Sequence, residues 1–465
     1  MRVLMCAMAV LLASISAWAE DSAPAITPAM TATAGQLIEA ARQENAAYAI
    51  VQSLTTEVGP RLAGTEAEAR ARRWAIEKLQ GLGLKNVRVE AFEVPLWLRG
   101  EERAEILTPF PQALTITTLG GSASTGAQGV QAELVVFDTL TALEESAPGS
   151  VQGKIVFIDE FMARSRDGSG YGAAVRKRRE TAYVAQRLGA VAALIRSVGT
   201  SSHRFAHTGQ MARVGAATDL GVPTAALTAS DADQLRRALA YAKPVIVKLV
   251  ITPQLLPPAA SGNVVGEIVG RERPQEIVLV GAHLDSWDLG TGAVDDGAGV
   301  GVVLGAAKLL IDTLPQAPRR TVRVVLFGSE EVGVVGARAY ARQHAAELPD
   351  HVIAMESDFG AGDIWRFDTR LAADKLPSVA PIATVLEPLG IAPGNNTARG
   401  GPDLKFLREA GVPIASLQQD GQDYFDLHHT ADDTLDKIAP HALDQNVAAY
   451  AAIMYLVAET AADFR

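Results

Sequence analysis

Cysteine is almost absent from this sequence: Cys6 is the only one among 465 residues. Because Cys6 lies in an N-terminal segment that we expect to be removed, the mature chain has neither disulfides nor thiol chemistry. Positive charge is in deficit as well, with a net charge of −11 and a pI near 5.3. This balance disfavours nucleic acid as a partner. After the N-terminus, no apolar run is long enough to predict a membrane span.

The N-terminus has the pattern of a signal peptide. Arg2 is followed by an apolar stretch over residues 3–15 and then by Ala17-Trp18-Ala19, which matches the small-x-small cleavage pattern. We expect cleavage after Ala19 and a linker over residues 20–35, where Pro, Ala and Thr are frequent. A buried first helix fits less well, because residues 3–15 are few and lack amphipathic spacing. The sequence therefore predicts an exported protein, periplasmic or secreted.

A chain of this length, 48% hydrophobic, favours two or three domains. Apolar residues at helical spacing predict a helix over residues 36–54. A second helix is expected over residues 66–81 with Thr65 as its cap, followed by an alternating strand over residues 87–94.

Residues 115–250 differ in composition, with Gly/Ser/Thr-rich turns between short strands and a helix near residues 180–188. The pieces at residues 153–158, 189–195 and 221–223 resemble a protease-associated domain, which implies an inserted α/β lid. Within this segment, the basic run Arg176-Lys177-Arg178-Arg179 is interpreted as a solvated helix face rather than an anion site.

From Asn263 onwards, continuous apolar strands alternate with helices. Such alternation predicts an α/β fold with a mostly parallel central sheet and helices on both faces. We expect residues 36–114 and 251–465 to form this catalytic domain and residues 115–250 to be the insertion.

Acidic residues and histidines directly follow these strands, where ligands of parallel sheets bind. They are His283 and Asp285, Asp295 and Asp296, Glu330 and Glu331, Glu356 and Asp358, and His428, His429 and Asp433. Singly, each has an ordinary explanation, such as a helix cap or a hydrogen-bonded structural histidine. Together at one sheet edge, the carboxylates would repel one another unless a bound cation neutralised them.

A ligand set of imidazole and carboxylate without thiolate suits zinc, with cobalt or manganese as chemical substitutes. Two histidines and at least three carboxylates exceed the needs of one tetrahedral ion. Two zinc ions per chain are therefore expected, about 3.5–4 Å apart, an arrangement that holds a bridging water and polarises a carbonyl. This chemistry predicts hydrolysis of peptide bonds.

The motifs resemble those of peptidase family M28, whose members use two zinc ions together. They are His283-x-Asp285, Asp295-Asp296-Gly297, Glu330-Glu331-x-Gly333, Asp358 and His429-Thr430-x-x-Asp433-Thr434. The insertion ahead of them, residues 354–358 and the His428-His429 pair make the chain most similar to the carboxypeptidase Q branch of the family.

The resemblance implies a role for each residue. Glu330 would be the general base, which takes a proton from the attacking water and passes it to the leaving amine. Asp285 would orient His283 by accepting its other ring hydrogen, and the peptide bond after Asp295 would be cis. The implied metal ligands are His283 and Asp358 at one ion, Glu331 and His429 at the other, and Asp295 between them.

Several alternatives stay open. His428 is the alternative ligand to His429, whereas structural or surface roles are expected for His203, His207, His344, His351 and His441. The resemblance implies dipeptides or short peptides with free termini as substrates, with an aminopeptidase on longer peptides as the alternative. A glutaminyl cyclase or a non-catalytic ectodomain is less favoured, because neither the second-ion ligands nor the base is missing. The oligomeric state also stays open, with a homodimer as one alternative.

Overall fold

The computed structural model describes residues 26–212 and 219–465, so the predicted signal peptide and its cleavage site lie outside the described residues. Strands within these ranges are β1 (Lys85–Leu98), β2 (Glu102–Thr108), β3 (Gln112–Leu114), β4 (Ile116–Thr118), β5 (Val130–Phe137), β6 (Ile155–Ile158), β7 (Ala192–Arg196), β8 (Thr224–Leu227), β9 (Ile246–Ile251), β10 (Gln254–Ile268), β11 (Arg273–His283), β12 (Arg320–Phe327), β13 (His351–Glu356), β14 (Ile364–Arg370), β15 (Ala392–Pro393) and β16 (Ile414–Gln419).

The α-helices of the same ranges are α1 (Pro28–Gln43), α2 (Ala47–Glu57), α3 (Glu66–Leu82), α4 (Leu140–Glu144), α5 (Ser169–Arg187), α6 (Ala229–Leu239), α7 (Ala298–Thr313), α8 (Val335–Gln343), α9 (Ala380–Leu386), α10 (Lys405–Glu409), α11 (Tyr424–Leu427) and α12 (Ala442–Glu459). None of these described helices is both long enough and apolar enough to cross a membrane.

The larger sheet carries the residues of interest and has the order β1-β10-β12-β11-β13-β16-β14-β15. Its central strands β12, β11, β13 and β16 are parallel, and antiparallel pairs flank them on both sides. Alternate residues of β11 and β12 are buried in two separate cores, one against α7 and α12 and the other against α8 and α10. The predicted α/β fold, with a parallel centre covered on both faces, is confirmed.

A second sheet, with the order β3-β2-β9-β5-β6-β7-β8-β4, is built from residues between β1 and β10 and has its own hydrophobic core. It begins earlier than predicted, at Glu102, because β2 pairs with β9 and brings Glu102 opposite Ile251. The boundary expected at residue 115 is therefore too late, because β2 and β3 of the second sheet precede it.

Two further predictions require correction. Residues 28–35 are not a linker but the first part of α1, in which Ala34 and Leu37 are fully buried. The single helix predicted over residues 36–54 is divided in two, because Glu44 is extended and the Asn45 side chain accepts a hydrogen bond from the Ala47 N–H.

The basic run on α5 is also not a solvated face throughout. Lys177 is fully buried and Arg178 is 7% exposed, whereas Arg176 and Arg179 are exposed. Helical geometry places positions 174, 178, 181 and 185 on one face, and that face is buried. Arg178 consequently points inwards, towards the larger sheet.

Candidate active site

The predicted residues meet at the carboxyl edge of the central strands. His283 ends β11, Glu330 and Glu331 follow β12, and Asp358 follows β13. Because β12, β11 and β13 are parallel and paired in register, their following residues reach the same edge of the sheet.

Asp295 lies at the centre of the cluster. Its Oδ1 is 3.1 Å from His283 Nε2, which is itself 3.5 Å from Asp358 Oδ1. On the other side, Asp295 Oδ2 is 3.4 Å from His429 Nε2, which is 2.9 Å from Glu331 Oε2. Asp295 is thus the residue that both groups of ligand atoms share. The Asp295-Asp296 peptide bond is cis, as the resemblance implies.

Asp433 fixes the main chain around Asp295. Its carboxylate accepts hydrogen bonds from the N–H groups of Val294, at 2.6 Å, and Asp295, at 3.2 Å. Burial raises the pKa of Asp433 to about 7, with the nearby Asp295 carboxylate adding to the shift. The sequence contains Asp433 in a motif but does not indicate this positioning role.

Arg61 was not predicted from the sequence at all. Its side chain is fully buried. The guanidinium donates to three main-chain carbonyl oxygens of the loop between β11 and Ala293: those of Leu284 at 2.5 Å, Thr291 at 2.7 Å and Gly292 at 2.8 Å. It therefore links this loop, which leads to Asp295, to the segment before α3.

Asp285 differs from its predicted role. The His283 Nδ1 atom is 2.9 Å from the main-chain oxygen of Asp285 but 3.8 Å from its carboxylate. The carboxylate instead accepts the N–H groups of Glu330, at 2.9 Å, and Glu331, at 3.3 Å. The peptide oxygen orients the histidine, and the side chain holds the loop that carries the two glutamates.

The two neighbouring histidines both face Asp295, and their rings stack with centroids 3.5 Å apart. His428 Nε2 is 3.8 Å from Asp295 Oδ2, farther than His429 Nε2, and makes no ion pair with Glu331 in the described structure. His429 Nδ1 lies 3.3 Å from the Thr208 carbonyl oxygen, a contact that can orient the ring. Distance therefore favours His429 as the ligand.

The cluster is short of positive charge. Burial raises the pKa of Glu330 to about 8, and it raises the pKa of Glu331 and Asp358 above their usual values, with carboxylate neighbours contributing in each case. Burial disfavours a charged His283, but the carboxylates of Asp358 and Asp295 together raise its pKa well above its ordinary value. A cation between these groups would relieve the repulsion and replace the proton on His283.

The donor atoms fit zinc on several counts. The ligand atoms of His283, Asp295 and Asp358 lie within 4.8 Å of one another, as do those of Asp295, His428 and His429. Imidazole nitrogens and carboxylate oxygens without thiolates are typical zinc ligands. Glu331 Oε1 is buried and has no hydrogen-bond partner in the described structure, as expected for an oxygen that would bind a cation.

The cluster opens into a cleft of about 1120 Å³ between the two sheets. Sequence reasoning missed three residues that line it: Tyr171 and Arg178 of α5, and Glu356 at the end of β13. For Arg178, the helical spacing from Ala174 to Thr181 was a usable signal of burial. Glu356 stood among the acidic strand ends but received no role.

Comparison with known proteins agrees with this geometry. The model of the family described as "Peptidase family M28" matches residues 263–454. Carboxypeptidase Q from Bos taurus is 36% identical over 422 residues, which cover 90% of this chain and 86% of that protein. This chain belongs to peptidase family M28. The predicted resemblance is confirmed, and the family member described here is a metallo-exopeptidase that hydrolyses peptide bonds.

Solved structures share the fold over most of this chain. A peptidase M28 precursor from Shewanella amazonensis SB2B is 49% identical, with a TM-score of 0.91 over 94% of this chain and 98% of that one. A zinc aminopeptidase from Bacillus subtilis, 22% identical with a TM-score of 0.63, shares the fold over 88% of this chain and 93% of its own.

Proposed function

We propose that this M28 peptidase is exported, binds two zinc ions per chain and hydrolyses dipeptides or short peptides. The observation that carries the proposal is the position of Asp295, whose two oxygens face two separate groups of ligand atoms. The signal-peptide pattern before Ala19 supports export to the periplasm or the medium.

The proposed ligands are His283 and Asp358 for one ion, Glu331 and His429 for the other, with Asp295 between them. When bound, zinc would polarise the scissile carbonyl and make water a better nucleophile at neutral pH. The negative charge of the cluster and the unpartnered Oε1 of Glu331 support this assignment.

Glu330 is the proposed general base. It lines the cleft next to Glu331, and its main-chain N–H is held by Asp285. Adjacent residues direct their side chains differently, so one glutamate can bind metal while the other faces the attacking water. A raised pKa lets Glu330 accept the water proton and deliver it to the leaving amine near neutral pH.

We also propose that the second sheet, residues 102–251, is a protease-associated-like lid. Its helix α5 and the segment around Gln210 line the cleft opposite the strand ends. A module in this position limits how much peptide can extend beyond the metal ligands.

The test is Glu330→Gln, assayed for dipeptide turnover and for zinc per chain in the same preparation. The change preserves size but removes the proton acceptor. Zinc content is expected to stay at two per chain, and kcat to fall by at least about 10³–10⁴-fold, since general-base assistance is worth about 10²–10⁴-fold and the same group also protonates the amine. Near-normal turnover with two zinc ions bound would show that another residue activates the water.

A further inference from the structure

Arg178 is a buried cation without a counter-ion. Its side chain is 7% exposed, and within the described chain its guanidinium forms no ion pair with a carboxylate. Nη2 donates to the Tyr171 hydroxyl at 2.6 Å, Nη1 lies 3.3 Å from His429 Nδ1, and Nε has no partner. Other buried arginines of the described chain are satisfied: Arg196 is paired with Asp159 at 2.7 Å, and Arg61, which has no ion pair, donates from Nε, Nη1 and Nη2 to main-chain oxygens.

The main chain at Gly209 passes close to the Arg178 guanidinium. A Cβ atom at Gly209 would lie 2.3 Å from Nη1, so the main chain approaches the guanidinium where a side chain would otherwise stand. A buried, incompletely hydrogen-bonded charge is costly unless an anion completes it. Because Arg178 also lines the cleft, that anion can come from a substrate.

The position of Arg178 defines which part of a substrate it meets. Nη1 contacts the Nδ1 side of His429, whereas Nε2 of that ring faces Glu331 and Asp295. The His429 ring thus lies between the Arg178 guanidinium and the proposed metal site. An anion bound at Arg178 is beside the reacting centre but not part of it.

Glu356 lies on the Asp358 side of the cluster, whereas Arg178 lies on the His429 side. Glu356 stands two residues before Asp358, is 6% exposed and lines the same cleft. Its carboxylate accepts only long hydrogen bonds, from the N–H groups of Asp403 at 3.4 Å and Leu404 at 3.3 Å, and forms no ion pair in the described residues. A Cβ at Gly401 would lie 2.2 Å from Oε2, so here too the main chain leaves room for the charged group.

We propose that the cleft binds a dipeptide by both charged ends, with the α-carboxylate at Arg178 and Tyr171 and the α-ammonium at Glu356. In a dipeptide, the scissile bond lies one Cα from the ammonium and one Cα from the carboxylate. Groups that flank the metal ligands on opposite sides are therefore placed to bind the two termini. The resemblance already implies free termini, and the inference, which rests on the proposed function, adds the residues that bind them.

The other cations of the cleft are less suited to this role. Four of them, Arg179, Arg338, Arg399 and Lys405, are exposed, where solvent screening weakens the attraction for a carboxylate. Arg408 is only half-buried and donates to the main-chain oxygen of Arg399. Arg366 is paired with Asp368 at 2.8 Å. Among the described cations that line the cleft, only Arg178 combines burial, an unpartnered donor and a place beside the proposed ligands.

The test uses zinc-loaded enzyme and three matched peptides: the best-cleaved member of a panel of unmodified Ala-Xaa dipeptides, its C-terminal amide and its N-acetyl derivative. Wild type should cleave the free dipeptide with the highest kcat/KM. Arg178→Leu should lower the free-to-amide ratio of kcat/KM by about 10–100-fold, the range of one charge-assisted hydrogen bond, and leave the free-to-acetyl ratio unchanged. Glu356→Gln should do the reverse, and Arg178→Lys should restore part of the carboxylate preference.

Arg176→Leu is the matched control, because it removes the same charge from the same helix outside the cleft and should leave both ratios as in wild type. Each ratio is internal to one preparation, so it does not depend on the fraction of folded enzyme. Equal cleavage of all three peptides by wild type, or equal loss on all three in Arg178→Leu, would overturn the inference alone. Absence of cleavage of every peptide by zinc-loaded wild type would overturn the proposed function together with the inference.

Discussion

The replacement Asp285→Asn should change the position of Glu330 and Glu331, and hence activity, while leaving the stability of the fold nearly unchanged. The buried carboxylate accepts the N–H groups of Glu330 and Glu331 through its two oxygens. Asparagine has one oxygen, so one N–H loses its acceptor and the other keeps only a neutral one. Losing these interactions is expected to cost about 2–4 kcal/mol.

A second effect opposes this loss in the metal-free protein. Burial raises the pKa of Asp285 from 3.8 to about 6, so at pH 7 its charge lowers the stability of the folded state relative to the unfolded chain by about 3 kcal/mol. The folded protein holds this proton more tightly than the unfolded chain, and the associated stability is present below pH 4 and lost as the pH rises through 6. Asparagine never ionises and avoids the cost. The two effects nearly cancel at pH 7.

Asp285→Asn should therefore leave the melting temperature of the metal-free protein at pH 7 within about 3 °C of wild type. Activity should fall by about 10²-fold or more, since a misplacement of 1 Å in a catalytic group can have that effect. The measurements are thermal unfolding after chelation and kcat/KM on a dipeptide after zinc is restored, with Asp312→Asn on the exposed part of α7 as the control. Wild-type kcat/KM in Asp285→Asn would refute the positioning role.

The remaining predictions concern the metals and the lid. Asp295→Ala should lose both zinc ions, whereas Glu331→Ala should mainly weaken one, and metal analysis that finds two ions in Asp295→Ala would contradict the bridging role. Of His428→Ala and His429→Ala, the latter should lose more zinc; the opposite order would make His428 the ligand. Chelation should abolish activity, and zinc at 100 times its Kd should stabilise the folded protein by about 2.7 kcal/mol in a thermal shift assay; no shift would argue against a site in the folded state. Burial lowers the pKa of Lys177 to about 8, so the charged lysine destabilises the folded protein at pH 7. Lys177→Met should therefore raise the melting temperature at pH 7, and this difference should disappear near pH 10.5, because wild type becomes more stable as the lysine loses its proton. A difference in melting temperature that is independent of pH would indicate a packing effect instead.

The strand-end residues could be found from the sequence because the physical constraint is local. A continuous apolar run must be a buried strand, parallel strands end at one edge, and the residue that follows each run is fixed by chain order. This argument brings together His283, Glu330, Glu331 and Asp358, whose excess of negative charge already indicates a cation.

The division of labour within the site follows from contacts between distant segments, which no local pattern records. Asp285 binds the loop of Glu330 because β11 and β12 are neighbours in register. The two residues are 45 positions apart in the sequence. His429 approaches Glu331 because the chain before α12 returns to the sheet edge. Residue type alone does not distinguish His428 from His429 as the ligand.

The burial of Arg178 is a further property that local sequence patterns did not predict. In sequence, Arg178 is one of four consecutive basic residues, and a basic run is usually solvated. Its burial depends on Gly209, which leaves room for the guanidinium, and on His429, 251 positions away, against which α5 packs. Periodicity indicates which helix face turns inwards, but only the packing of the second sheet over the strand ends places that face against the catalytic cleft.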